Sequence, residues 1–204
     1  MFNFLLHLDQ HLYALTTAYG GLTYLILFLI IFAETGLVFF PFLPGDSLLF
    51  AAGAVAALGG LNLFVLLVVL TSAAVLGDTV NYWIGHYFGE RLIQHRRSPL
   101  KPESLAKTHR FFQKHGQKTI ILARFVPLVR TFAPFIAGLG TMDYRPFLIY
   151  NLIGGVAWVS LFTLTGYFFG NLAIVKSNFS LIIITIIFIS LLPMAYEAWR
   201  SRFS

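Results

Sequence analysis

Four charged side chains stand in apolar sequence, and each sits beside a helix breaker. Glu34 comes late in an apolar run that starts at Leu22, and Asp46 follows it across a stretch broken by Pro41, Pro44 and Gly45. Arg124 and Arg130 flank Pro127 in the run Ile-Ile-Leu-Ala-Arg-Phe-Val-Pro-Leu-Val-Arg-Thr-Phe-Ala-Pro, which closes on Pro134. An unpaired charge at mid-bilayer costs about 2.5–3.5 kcal/mol on insertion scales, so each of the four calls for a partner, a water-filled cavity or a proton. Arginine suits bidentate recognition of phosphate, and backbone N–H groups freed at a helix break add donors. A carboxylate in a poorly solvated cavity can take up and release a proton. The ligand that suits such a site is an amphiphile with a phosphate head and a tail left in lipid. Arg124 and Arg130 are therefore the expected headgroup ligands, and Glu34 and Asp46 the expected proton carriers. Ser47, Asp78 and Thr131 are accessory candidates. The plainer alternative is that the four charges are neutralising pairs pinning two hairpins together. Buried pairs often add little stability over apolar packing, and the coincidence of all four with Pro/Gly breaks favours a functional role.

Composition restricts what can surround these residues. The chain of 204 residues is 58% hydrophobic and 11% charged, with a mean hydropathy of +0.80. A soluble globule carries about 25% charged residues, so the expected class is an all-α polytopic membrane protein of one domain, 1–204. The net charge of +6 does not point to nucleic acid, because eight of the fourteen Lys and Arg lie between Arg91 and Lys118. One basic segment on an apolar protein reads as a cytoplasmic loop, about 90–118, facing anionic lipid. The absence of cysteine excludes disulfides and thiolate metal sites. The histidines lack metal-ligand spacing, so neither a metal nor a cofactor is expected. The N-terminus lacks the positive start of a signal peptide, and no cleavage is expected.

The elements that must position the four charges follow from hydrophobic periodicity. Residues 2–19 place Phe4, Leu5, Leu8, Leu12, Leu15 and Tyr19 on one face, which predicts an amphipathic helix lying in the interface. Leu22–Phe40 is long enough to span, fully or in part. Ser47–Leu58 is too short to span and rich in Ala and Gly, so 34–58 is predicted to be a re-entrant hairpin tipped at Pro41–Asp46. Leu61–Trp83 reads as a full span carrying Asp78, and Glu103–His115 as a short helix closed by Gly116. Residues 119–140 read as a second broken hairpin, with breaks at Pro127 and Pro134. Pro146–Phe169 and 179–196 complete the spans, followed by a tail with Arg200 and Arg202.

An ungapped shift of about 81 residues places Leu58-Gly-Gly-Leu-Asn-Leu on Leu139-Gly-Thr-Met-Asp-Tyr, and Ile84-Gly-His-Tyr-Phe-Gly on Thr165-Gly-Tyr-Phe-Phe-Gly. Repeat one would cover about 22–89 and repeat two about 119–170. With the basic loop and the C-terminus in the cytoplasm, the two equivalent spans run antiparallel, as in inverted-repeat transporters whose broken helices meet near the midplane. The acidic tip then approaches the basic tip.

On these residues the chain resembles the DedA family of bacterial inner-membrane proteins, relatives of the eukaryotic VTT-domain scramblases. The carriers of the resemblance are Glu34 and Pro41-Phe-Leu-Pro-Gly-Asp-Ser, then Arg124-Phe-Val-Pro-Leu-Val-Arg130-Thr-Phe-Ala-Pro, Gly138 and Tyr150-Asn151. The resemblance covers about 20–200. It implies inverted re-entrant hairpins and location in the inner membrane. It also implies a non-enzymatic role in carrying polyprenyl phosphate, mainly undecaprenyl phosphate, across that membrane with dependence on proton motive force. In the family the four charged positions are the ones implicated in function. The expected partners are thus a polyprenyl phosphate, protons, anionic lipids and, compatibly, further copies of the chain. Two other functions compete with this reading. A polyprenyl-pyrophosphate phosphatase would share Pro44-Gly-Asp-Ser47, but the chain lacks clustered glutamates and a Pro-Ser-Gly-His segment. A proton-coupled exporter of small cations or drugs would use the acids as its binding site.

Overall fold

Runs of apolar residues that cannot leave backbone polar groups unpaired in lipid must close them within helices, and in the computed structural model every regular element among the described residues is a helix. It describes residues 20–37, 45–94, 102–170 and 172. The elements are α1 (Gly21–Gly36), α2 (Gly45–Ala57), α3 (Leu63–Gln94), α4 (Pro102–His115), α5 (Thr119–Ala123), α6 (Pro127–Ile136) and α7 (Tyr144–Gly170). A 3₁₀ turn at Gly116–Lys118 precedes α5, and a π turn at Ala137–Thr141 follows α6. Within α3 and α7, Leu63–Gly89 and Tyr144–Gly170 are long and apolar enough to cross a membrane. The predicted N-terminal interfacial helix, the break at Pro41 and Pro44, and the C-terminal span 179–196 lie outside the described residues.

Two compact units divide the chain. One comprises residues 1–27, 44–69 and 159–204, the other 28–43 and 70–158. In the first unit α2 packs on the last part of α7 through glycines. A Cβ on Gly53 would fall on the Thr163 carbonyl oxygen, and one on Gly166 on that of Phe50. Small residues let two helices approach to backbone contact, which is how helices associate in lipid. Helix α2 closes in a left-handed turn at Gly59 (φ +83°), with the Gly60 N–H donating to Val55 O at 3.1 Å. Asn62 then caps α3, its Oδ1 accepting from the Val65 N–H at 3.1 Å, and its own N–H donates to the Tyr24 hydroxyl at 2.7 Å.

In the second unit the same device joins other helices. Gly36 of α1 meets Gly77 of α3, and a Cβ on Gly85 or Gly138 would fall on the carbonyl oxygen of Phe135 or Tyr82. Phe112 of α4, Ile120, Val129, Phe132, Phe135, Met142 and Phe147 form its core. Helix α4 turns Phe112 and Thr108 inward and Arg110 and Lys114 outward.

Several expectations on boundaries are corrected. Helix α1 ends at Gly36, and not at Phe40. Helix α3 does not stop at Trp83 but continues to Gln94, so the basic segment begins inside a helix. Gly85 and Gly89 lie inside this helix without ending it, and each faces a packed neighbour that leaves no room for a Cβ. Pro134 lies inside α6, and does not break it. The departures from helix are at Arg124–Val126, just before Pro127, and at the π turn that follows Ile136. Val126 is extended (φ −120°, ψ 102°), as the residue before a proline prefers. Pro127 starts α6 at a position where its missing N–H costs nothing. Ahead of it, the Arg124, Phe125 and Val126 N–H groups tighten onto the carbonyls of Ile121, Leu122 and Ala123.

Candidate functional site

The tightened end of α5 sets Arg124 among α3 and α7, where the residue is only 2% exposed. Its Nη2 donates to Asp78 Oδ2 at 2.6 Å and to Asn151 Oδ1 at 2.5 Å. Asn151 is held in turn, its Nδ2 donating to Val75 O at 3.0 Å. Room for the guanidinium comes from Gly154 and Gly155 of α7: a Cβ on Gly154 would sit 3.2 Å from Arg124 Nε. Arg124 Nε and Nη1 are buried and make no hydrogen bond among the described residues.

Arg130 stands on α6, and its Nη2 pairs with Glu34 Oε1 near the end of α1. The two arginines share one aromatic platform, since the guanidinium carbons of Arg124 and Arg130 lie 5.8 and 4.8 Å from the ring centroid of Trp158. That is within the range where a ring face attracts a cation. One turn beyond Asp78, fully buried Asn81 of α3 donates through Nδ2 to Thr35 O at 3.2 Å and to Thr131 O at 3.0 Å. It ties the end of α1 to α6. Tyr82, one residue on, donates to Met142 O at 2.9 Å and stacks on Phe147, fixing the π turn to α3.

The cluster thus holds two arginines, two carboxylates, two asparagines and one tryptophan, assembled from α1, α3, α5, α6 and α7. Its charges cancel when all four ionisable groups are charged. What it offers chemically is a pair of guanidinium groups whose carboxylate partners can be exchanged for another anion, or neutralised by a proton.

Of the residues expected from sequence, the structure brings together Glu34, Arg124, Arg130, Asp78 and, through its carbonyl, Thr131. The carboxylate facing Arg124 is Asp78, which sequence reasoning had ranked only as an accessory. Asp46 stands in the first turn of α2 with Gly45 and Ser47, in the first unit. Sequence reasoning missed Asn81, Trp158 and the Gly154–Gly155 pair, and used Asn151 only as a motif residue. A signal was present: Asn151, Gly155 and Trp158 recur at helical spacing, as do Asp78, Asn81 and Gly85. Trp158 also lies deep inside its span, away from the interfacial depth where tryptophan is common.

The distribution of side chains defines the class of protein. Leu22, Leu25, Leu29, Phe64, Val68, Leu76, Ile149, Leu152, Ile153 and Leu161 are exposed, while Glu34, Asp78, Asn81, Arg124 and Asn151 are buried. A surface this apolar around a polar interior is built for lipid: the protein is a helical membrane protein. Comparison with known proteins makes this more specific. Residues 43–168 match the model of the VTT domain, and this range holds every site residue except Glu34 and Thr35. Protein DedA of Escherichia coli is 54% identical over 205 residues, covering 99% of this chain and 94% of the relative. An uncharacterized membrane protein of Mycobacterium tuberculosis is 46% identical over 175 residues, covering 84% and 77%. The inner membrane protein YqjA of Escherichia coli is 38% identical over 152 residues, covering 74% and 69%. The chain belongs to the DedA family of VTT-domain membrane proteins. No solved structure matches it.

Proposed function

We propose that this protein carries a polyprenyl phosphate, with undecaprenyl phosphate as the expected substrate, across the bacterial inner membrane, and that the proton motive force drives the cycle. The observation that carries the proposal is the arginine pair on Trp158, each guanidinium held by a carboxylate from another helix. Two arginines match a phosphate monoester in charge and in hydrogen-bond geometry. Protonation of Glu34 would loosen its hold on Arg130 and let a phosphate take its place. Loss of that proton on the other side would return the carboxylate and expel the lipid. Asp46 serves as the second proton carrier. Because both carboxylates of the described cluster face arginines, a phosphate suits it better than a small cation.

The architecture proposed with this function is a pair of inverted re-entrant segments, 34–58 and 119–140, with the basic segment 90–118 and the C-terminus in the cytoplasm. YqjA is named an inner membrane protein, which supports the location. The cycle transfers no chemical group, so the protein acts as a carrier and not as an enzyme. The double variant Glu34→Gln/Arg130→Gln keeps the pair neutral and close to its natural size. In proteoliposomes loaded with undecaprenyl phosphate it is expected to lose transport while remaining folded. Transport at the wild-type rate would rule out the arginine pair as the headgroup site.

A further inference from the structure

Both hydrogen-bond partners of Arg124 converge on a single atom, Nη2, which is 2.6 Å from Asp78 Oδ2 and 2.5 Å from Asn151 Oδ1. Nε lies over Gly154, where a Cβ would sit 3.2 Å from it, and is likewise without a partner among the described residues. Nη1 is left with no partner among the described residues although it is buried. A buried donor on a charged group that makes no bond forfeits its solvation without return. Bidentate grip of an anion across the end of a guanidinium uses Nη1 and Nη2 together. Asp78 therefore occupies half of an anion site and leaves the other half, at Nη1, without a partner among the described residues.

We propose that Asp78 is an internal competitor for the lipid headgroup. It holds Arg124 through Nη2 while the site is empty, and an incoming phosphate takes the unpartnered Nη1 and displaces Asp78 from Nη2. Asn151, a neutral ligand anchored to Val75 O, is a positioning residue that keeps the Nη2 end of Arg124 in place during this exchange. The inference rests on the phosphate-lipid function proposed above and assigns within it two residues that tune affinity.

The two residues make opposite predictions. Asp78→Asn removes the competing charge without removing volume, so a phosphate should bind about tenfold more tightly and leave more slowly, a factor set by one charged hydrogen bond. Asn151→Asp places a second carboxylate on Nη2, so binding should weaken by about tenfold. The test is titration of solubilised wild type and both variants with farnesyl phosphate, together with their KM and turnover for the same lipid in proteoliposomes. A fall in both KM and turnover for Asp78→Asn, with a rise in KM for Asn151→Asp, supports the inference. A merely structural role moves both variants in the same direction, and that result overturns it. Should one variant not fold, the other still decides by the sign of its shift. Wild type that binds no farnesyl phosphate would instead refute the phosphate-lipid function itself.

Discussion

Removal of Arg124 alone should destabilise the protein far more than removal of Arg124 and Asp78 together would suggest. The side chains of the pair are 1% and 4% exposed, so Arg124→Ala strands a carboxylate in a buried site. Breaking a buried pair from one side costs about 3–5 kcal/mol. Asn151 Oδ1 loses its donor as well, at about 1–3 kcal/mol. Taking the pair term alone, a chain of this size should lose roughly 6–20 °C in Tm. Arg124→Ala/Asp78→Ala removes the stranded charge, so the double variant should recover at least about 2 kcal/mol of the sum of the single losses. The assay is unfolding in mixed micelles followed by tryptophan fluorescence, run as a double-mutant cycle with Tm measured alongside. Additive single losses, or a single loss within the roughly 0.5 kcal/mol typical of surface changes, would show that the buried pair does not couple these helices. The Glu34–Arg130 pair, whose arginine side chain is 13% exposed, should couple more weakly in the same cycle because it is less completely buried.

Three further outcomes follow from the packing. Trp158→Leu keeps an apolar side chain but removes the ring beneath both guanidinium groups, so phosphate-lipid affinity should fall by about tenfold, given about 0.5–2 kcal/mol per cation–ring contact; isothermal titration checks this. Asn81→Leu leaves two buried carbonyls, Thr35 O and Thr131 O, without their donor. It should cost about 2–4 kcal/mol, read by the same micelle unfolding, and a loss below about 1 kcal/mol would contradict the tie between α1 and α6. Gly85→Ala and Gly166→Ala each place a Cβ on a carbonyl oxygen of a facing helix, so both should lower Tm by several degrees, whereas Gly59→Ala has open space and suffers only from its positive φ.

The sequence made the chemistry more legible than the geometry. Charges beside Pro127 and ahead of the Pro/Gly stretch stood out because lipid-exposed charge is so costly, and the structure pairs Arg130 with Glu34 across helices far apart in the chain. The partner of Arg124 was not legible, because Asp78 gains its role only when α3 and α5 pack. The Ala/Gly-rich 47–58 segment is legible as a packing surface, but Gly77, Gly85 and Gly138 also face closely packed neighbours, which a one-dimensional pattern does not distinguish from turns. Pro134 was expected to break the chain. Its missing donor is instead accommodated within α6, and the backbone readjusts in the π turn just beyond, as helices packed in protein can do. Trp158, Asn81 and Asn151 were detectable only as polar or aromatic residues repeating along one face of otherwise apolar spans.

In the proposed function the paired arginines move a phosphate-headed lipid under proton control. Proteoliposomes carrying wild-type protein and labelled undecaprenyl phosphate test it directly, with headgroup exposure on the far leaflet followed in the presence and absence of a pH gradient. Transport should run well above that of protein-free liposomes, faster with the gradient and slowed by a protonophore. Equal rates with and without protein, or transport indifferent to the gradient, would contradict it.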